Sequence, residues 1–391
     1  MSSKPKAASS SLTCSSLNNA DLNRPGVKNT ELNKSDSNLA VVSVPSGSYR
    51  ALLPILEAAG LDKVLSITEL SGGLSNHNYK ITTPEASYVL RENANATDIF
   101  CIREQERFYW QQLAKAKVAP QLFWVSDDER YYLSEFIDSD GIQDTPIAEQ
   151  PRLYWLNLEK PSSAREFFKG ANRENTKATI IPHYGQAHIL LLELLLKLRD
   201  LPAGPYGISV TEQWQEYHQQ MMIYATSPTS TDTAIFNHRE ADGSWHGRVA
   251  KLVGIQADIQ LWTDKLAACL VSPQFCHRDL NPHNLLLQNN HLYCIDFEYA
   301  TASHPLCELA VVLATHALTP KQQNFLLDEY LKEHPNLTID AVSAVPAAIE
   351  LYWVFACYWA ILMAAQQTEL SRSAEYIAWF DFFWPMISPV V

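Results

Sequence analysis

His277, Asp279 and Asn284 stand two and five residues apart, and Asp296 and Glu298 follow after a short apolar stretch. Two carboxylates and an amide around one point are oxygen donors suited to a hard divalent cation, and a carboxylate beside them can take the proton of a hydroxyl. Such chemistry needs the groups to converge, and the intervening sequence supplies the means. Residues 284–287 and 291–295 are apolar, β-rich runs flanking Gln288, Asn289 and Asn290, and Asn tolerates left-handed backbone. This is a hairpin. Its antiparallel pairing brings the polar ends together, so that Asp279, Asn284 and Asp296 meet. A lone Asp before a strand usually only closes a turn, and a lone His is usually structural. Several polar residues in register across one hairpin outweigh that reading.

Other elements must frame this hairpin. Residues 49–59 read as a short helix ended by Gly60. Residues 67–81 read as a strand, a turn and a returning strand, and in the turn Gly72 and Gly73 let backbone N–H groups approach a phosphate, although most glycine pairs between strands are only turns. A third strand, 87–91, ends on Arg91. The helix 102–113 places Ile102, Tyr109 and Leu113 on its apolar side and carries Glu104 and Glu106. A second hairpin runs over 120–125 and 130–137. Residues 138–181 give no pattern. Helices follow at 188–201, 211–224 and 249–270, with a loop at 225–247. After the central hairpin come a helix starting at Pro305, with Glu308 in its first turn, and helices at 321–333, 347–365 and 373–384.

The 391 residues leave room for two lobes and a large core. A formal charge of -13 argues against a nucleic-acid partner, which needs a basic face, and suits a cationic ligand. The seven cysteines are scattered and form no C-x-x-C pair, so they read as thiols in a reducing compartment. The longest apolar run, 351–365, is shorter than the roughly 20 residues a spanning helix needs, so a buried helix and no membrane span are expected. Residues 1–44 are rich in Ser, Asn and Lys and are expected to be a disordered tail. No secretory signal is seen, which favours the cytoplasm.

The segments FCHRDLNPHNLLL and YCIDFEYA, the loop LSGGLSNHNYKI, the strand YVLR and the stretch LSEFI occur in the order found in kinases. The spacing H-x-D-x-x-x-x-N followed by D-F-x resembles the catalytic and metal-binding signature of protein-kinase-like phosphotransferases. Over residues 49–384 the chain resembles the choline/ethanolamine kinase and thiamine kinase branch of the aminoglycoside-phosphotransferase-like superfamily. The resemblance implies an α+β, bilobal protein-kinase-like fold: after a tail at 1–45, a small N-lobe at 46–137 with an antiparallel sheet and a helix, and a larger, mainly helical C-lobe at 138–391. It implies ATP and Mg2+ as cosubstrates. By position, Asp279 would be the base, and Asn284 and Asp296 the metal ligands. Ser71, Gly72, Gly73, Ser75 and Asn76 would form the phosphate loop. Arg91 would grip phosphates and pair with Glu106, or failing that Glu104. Glu135, Phe136 and Ile137 would be the hinge that meets the adenine. Arg199 stands where relatives often carry His, which bears on C-lobe packing.

The substrate is then a small-molecule alcohol. The C-terminal helices are rich in Trp, Tyr and Phe, whose faces attract organic cations, and Glu350 and Trp353 lie three apart on one helix. With Glu298 they are the substrate candidates, against the ordinary reading of such aromatics as core. A choline, thiamine or ethanolamine type of alcohol is expected. An aminoglycoside or sugar-like acceptor would predict an acidic, open cleft instead. A catalytically silent nucleotide-binding scaffold would have lost the base or a metal ligand, and here all three are present.

Overall fold

The computed structural model describes residues 47–70, 76–93, 101–138, 186–226, 244–316, 318–367 and 369–389. The expected tail, the turn residues Ser71, Gly72, Gly73 and Ser75, nearly all of the patternless stretch and most of the expected loop at 225–247 lie outside them.

The N-terminal part is an antiparallel sheet in the order β1-β2-β3-β5-β4, built from β1 (Ser66–Leu70), β2 (His77–Thr82), β3 (Ser87–Glu92), β4 (Leu122–Val125) and β5 (Tyr131–Glu135). Strand period decides what each face carries. One face buries Ile67, Ile81, Leu90 and Leu133 under Leu52 and Leu56, which come from a 3-10 turn and the following helix α1 (Leu53–Ala58). The opposite face presents Arg91, which sits across from Tyr132 in the β3–β5 register. Helix α2 (Arg103–Lys115) buries Glu106, Tyr109, Trp110 and Leu113. Ile102, expected on that apolar side, is 62% exposed. It precedes the helix with extended backbone, so helical periodicity does not apply to it.

The remainder is mainly helical. The described helices are α3 (Ala187–Arg199), α4 (Val210–Thr226), α5 (Trp245–Gly254), α6 (Gln256–Cys269), α7 (Pro305–Thr315), α8 (Pro320–Leu331), α9 (Ala341–Gln366) and α10 (Leu370–Phe383). Two sequence expectations need correction. The helix expected over 249–270 is two helices, broken at Gly254 and Ile255, where glycine weakens propagation. The first of them starts at Trp245, capped by the Ser244 hydroxyl, which accepts from the Gly247 N–H.

Helix α9 runs through Pro346, where the sequence suggests a start. The proline removes one hydrogen bond close to the N-terminus, while Ala344, Val345, Ala348 and Leu351 remain buried around it. At 26 residues, with an 18-residue window of mean hydropathy 1.6, α9 is longer than expected and could cross a membrane by length and composition. Yet 78% of its apolar window is buried in protein, packed by α4, α6, α7 and α10. It is the core helix of this part.

Three short pieces carry the polar motif. Strand β6 (Gln274–Cys276) pairs with β9 (Thr301–Ser303), and β7 (Leu285–Gln288) pairs with β8 (His291–Cys294). Gln288 faces His291 across a two-residue turn, with Asn289 at φ +51° and Asn290 at φ +58°. Two successive positive φ angles suit a hairpin turn, and Asn accepts them cheaply. The first strand starts one residue later than expected, because Asn284 belongs to a 3-10 turn, Pro282–Asn284, whose N-cap Asn281 accepts from the His283 N–H.

Candidate active site

The hairpin closes the polar ends on each other. The Ile295 N–H donates to the Asn284 carbonyl at 2.9 Å, which sets Asp296 beside Asn284. The Asn284 amide nitrogen donates to Asp279 Oδ2 at 2.7 Å and to the Asp279 carbonyl at 3.0 Å. Asn281 Nδ2 donates to Asp279 Oδ1 at 2.7 Å. Both carboxylate oxygens of Asp279 are therefore oriented by amides from a single turn. Burial pushes its pKa up to about 6, opposed by these two hydrogen bonds and assisted by the Glu298 charge. A carboxylate so placed can accept a proton from a hydroxyl near neutral pH.

His277 has a different task. It is wholly buried, its Nε2 donates to the Ile295 carbonyl at 3.1 Å, and burial lowers its pKa to about 4. A neutral ring thus pins β6 to the end of β8. Arg278, between His277 and Asp279, has φ +69°, an uncommon conformation for a residue with a Cβ. Its N–H donates to Glu308 Oε1 in the first turn of α7. Glu308 is fully buried, and burial first of all raises its pKa to about 7. The role of this glutamate, which clamps the backbone next to Asp279, is invisible at the sequence level beyond its place in a helix first turn.

Across from the hairpin, Arg91 Nη2 donates to Glu106 Oε1. Both side chains are buried, and Glu104 is exposed. The Arg91 guanidinium lies 4.8 Å from the Tyr132 ring centroid and 5.3 Å from that of Trp110. Arg103, singled out by no sequence signal, joins the group from the start of α2: Nη1 lies 3.0 Å from Glu106 Oε2 and 3.5 Å from Glu298 Oε1. Asn76 Nδ2 donates to the same Glu298 oxygen at 2.8 Å, so this residue of the expected phosphate loop reaches across to the hairpin's exit.

Carboxylate oxygens of Glu106, Asp296 and Glu298 lie within 4.8 Å of one another. Asp296, at φ +66°, has a buried Oδ1 with no hydrogen-bond partner. Burial, then the Glu298 charge, lift its pKa well above the carboxylate range, with Arg91 pulling the other way. An orphaned buried carboxylate oxygen among other oxygen donors is what a hard divalent cation satisfies.

At the end of β5, the Glu135 carboxylate accepts from the Gln121 N–H at 3.1 Å, Phe136 lies 4.0 Å from Lys80 Nζ, and Ile137 is buried. Glu350 and Trp353 are placed in packing. Glu350 Oε2 accepts from the Ser388 N–H at 2.8 Å, and Trp353, 2% exposed, meets the Phe383 ring at 5.8 Å. The neighbouring Tyr352 senses Asp279: burial, then the Asp279 charge, raise its phenol pKa. The Tyr217 and Tyr299 phenols are also raised, mainly by burial, with Asp279 among the contributing charges. Phe355 meets Tyr217 edge-on at 5.7 Å. Composition places Tyr352 among the aromatics of the C-terminal helices, but Tyr217 and Tyr299 carry no sequence signal, because only the packing of separate elements brings them near Asp279.

Residues 66–338, well over half of the chain, match the phosphotransferase enzyme family. The chain belongs to this family and has the bilobal, kinase-like fold. Among solved structures, an ethanolamine kinase from Plasmodium vivax superposes with a TM-score of 0.52 at 13% identity, covering 83% of each chain. The choline kinase LicA from Streptococcus pneumoniae gives 0.51 at 13% identity, covering 83% of this chain and 98% of that one. At such identity the likeness is one of fold. Protein LicA from Haemophilus influenzae is 38% identical over 58 residues, which span 15% of this chain and 22% of that protein.

Proposed function

We propose that this phosphotransferase is an ATP- and Mg2+-dependent kinase that phosphorylates the hydroxyl of a small cationic alcohol, choline ahead of thiamine and ethanolamine. In this reading the part before residue 138 holds the nucleotide and the part after it holds the catalytic loop and the acceptor. The observation that carries it is Asp279, a base fixed by Asn281 and Asn284 within electrostatic reach of three tyrosine phenols. The carboxylate orients the acceptor hydroxyl and takes its proton. The tyrosines supply aromatic faces for a cation, at about 0.5–2 kcal/mol per contact. Arg91, held by Glu106 and flanked by two rings, offers its charge to the nucleotide phosphates.

The residues fit the metal. Asp296, through its orphaned oxygen, and Asn284, whose amide nitrogen already serves Asp279, would hold Mg2+ with Glu298 nearby. Bound there, the ion would offset charge on the transferred phosphoryl group. That the choline kinase and the ethanolamine kinase share this fold supports the substrate class.

The test is ADP release by the full-length chain with ATP, with Mg2+ or with chelator, against choline, ethanolamine, thiamine and an aminoglycoside. Mg2+-dependent turnover with a cationic alcohol is expected. Tyr352→Ala should raise the KM for that alcohol about threefold to thirtyfold while leaving the KM for ATP unchanged. Turnover confined to the aminoglycoside would sink the substrate assignment.

A further inference from the structure

Arg103 is oddly placed for a helix residue. It is the first residue of α2, whose preceding residue makes no side-chain cap, and a cation there opposes the helix dipole. Its side chain is only 11% exposed. The helix gives no reason for a buried guanidinium at this point, so the reason must be its partners. These include Glu106, three residues on in the same helix, and Glu298, which follows the hairpin and approaches from the other side.

The two contacts differ. The one to Glu106 is 3.0 Å, within hydrogen-bond range, and the one to Glu298 is 3.5 Å, at its limit. Arg91 also serves Glu106, so Glu106 has two guanidiniums. Glu298 keeps Asn76 as a second donor on the same oxygen and would remain oriented if Arg103 withdrew. Either acid thus keeps a donor if Arg103 lets go, and the longer, weaker contact to Glu298 is the one that yields first. Asp296, meanwhile, lies within 4.8 Å of both acids and has a buried oxygen unserved. A divalent cation at that oxygen would repel the guanidinium and compete with it for Glu298.

We propose that Arg103 is the resident counter-ion of this acid cluster: it holds Glu298 in the metal-free enzyme and gives it up, keeping Glu106, when a divalent cation settles on Asp296. Arg103 is a positioning residue in this scheme. The inference rests on the reading of Asp296 as a metal ligand, and the experiment separates the two.

Free Mn2+ is counted by electron paramagnetic resonance in titrations of the full-length enzyme without nucleotide. Wild type is expected to bind Mn2+, Asp296→Asn to lose it, and Arg103→Gln to bind about fivefold or more tightly, since a competing cation is gone. Unchanged or weaker affinity in Arg103→Gln, with Asp296→Asn still deficient, would overturn the role of Arg103 and leave the metal site standing. Full binding by Asp296→Asn, or none by wild type and Arg103→Gln alike, would overturn both. If Arg103→Gln does not fold, the wild-type chain decides. Its Arg103 guanidinium NMR signal, assigned with Arg103→Lys, should move on titration with Mg2+, and a signal unmoved at saturation overturns the proposal.

Discussion

Asp279 shows how far a single residue depends on its setting. Two amides fix its oxygens while burial lifts its pKa to about 6, so it is largely ionised at pH 7 and protonated below about 6. A base must be ionised to work. kcat/KM, which reports the free enzyme, should therefore fall about tenfold per pH unit below an inflection near 6. In Asp279→Asn, kcat should drop about 10²–10⁴-fold and that inflection should vanish. An unchanged inflection would assign the titration to another group. The same scale separates His277 from chemistry: a ring held neutral and fully enclosed, with one nitrogen on a carbonyl, is a strut.

Elements supply what the residues cannot. Helix α2 brings Glu106 to Arg91, and a buried pair broken on one side leaves an uncompensated charge. Glu106→Ala should cost about 3–5 kcal/mol in denaturant unfolding and raise the KM for nucleotide. Helix α7 brings Glu308 to the left-handed Arg278 N–H. Because burial raises the Glu308 pKa to about 7, the folded state holds a proton there that the unfolded chain releases from about pH 4.5 upward. That group's contribution to stability therefore falls as pH rises from about 4.5 to 7. Glu308→Gln should flatten this part of the stability profile, and Glu308→Leu should lower kcat with little change in either KM as the turn loosens. Both are read by unfolding at several pH values and by steady-state kinetics.

At the level of the molecule, α2 joins the sheet to the helical part. Tyr109 and Trp110 belong to the same core as Phe275 and Phe297, and Trp110 stands 5.0 Å from Phe297 by ring centroid. The Tyr109 hydroxyl lies 2.7 Å from the Ala203 carbonyl and 2.8 Å from that of Tyr206, anchoring the helix to the loop that follows α3. Gly204 in that loop has φ +80°, and a Cβ there would lie 2.8 Å from the Tyr109 hydroxyl and 2.9 Å from the Phe108 ring. Tyr109→Phe should cost about 1 kcal/mol. Gly204→Ala, which combines backbone strain with overpacking, should cost about 2–4 kcal/mol. Thermal or chemical unfolding of the two variants gives the order directly. Equal and negligible losses would mean that the joint carries no load.

The sequence by itself determined the local pieces. The Asn289-Asn290 turn, the Pro305 helix start and the spacing from His277 to Asp296 all follow from chain-local chemistry and were enough to collect the hairpin acids, while the fold was read from the family resemblance that the motifs carry. Where local signals conflict with burial, the sequence misleads: Pro346 suggests a boundary that the core overrides, and Ile102 suggests a buried face that its extended backbone removes. Only the tertiary structure decided which side chains, far apart in sequence, share one volume. It put Tyr352 within reach of the Asp279 charge and Trp353 against Phe383, sent Asn76 and Arg103 to Glu298, and set Glu308 against the backbone before Asp279. Those choices depend on the angles at which α2, α7 and α9 pack, set by contacts summed over the whole core, and no window of sequence contains that sum.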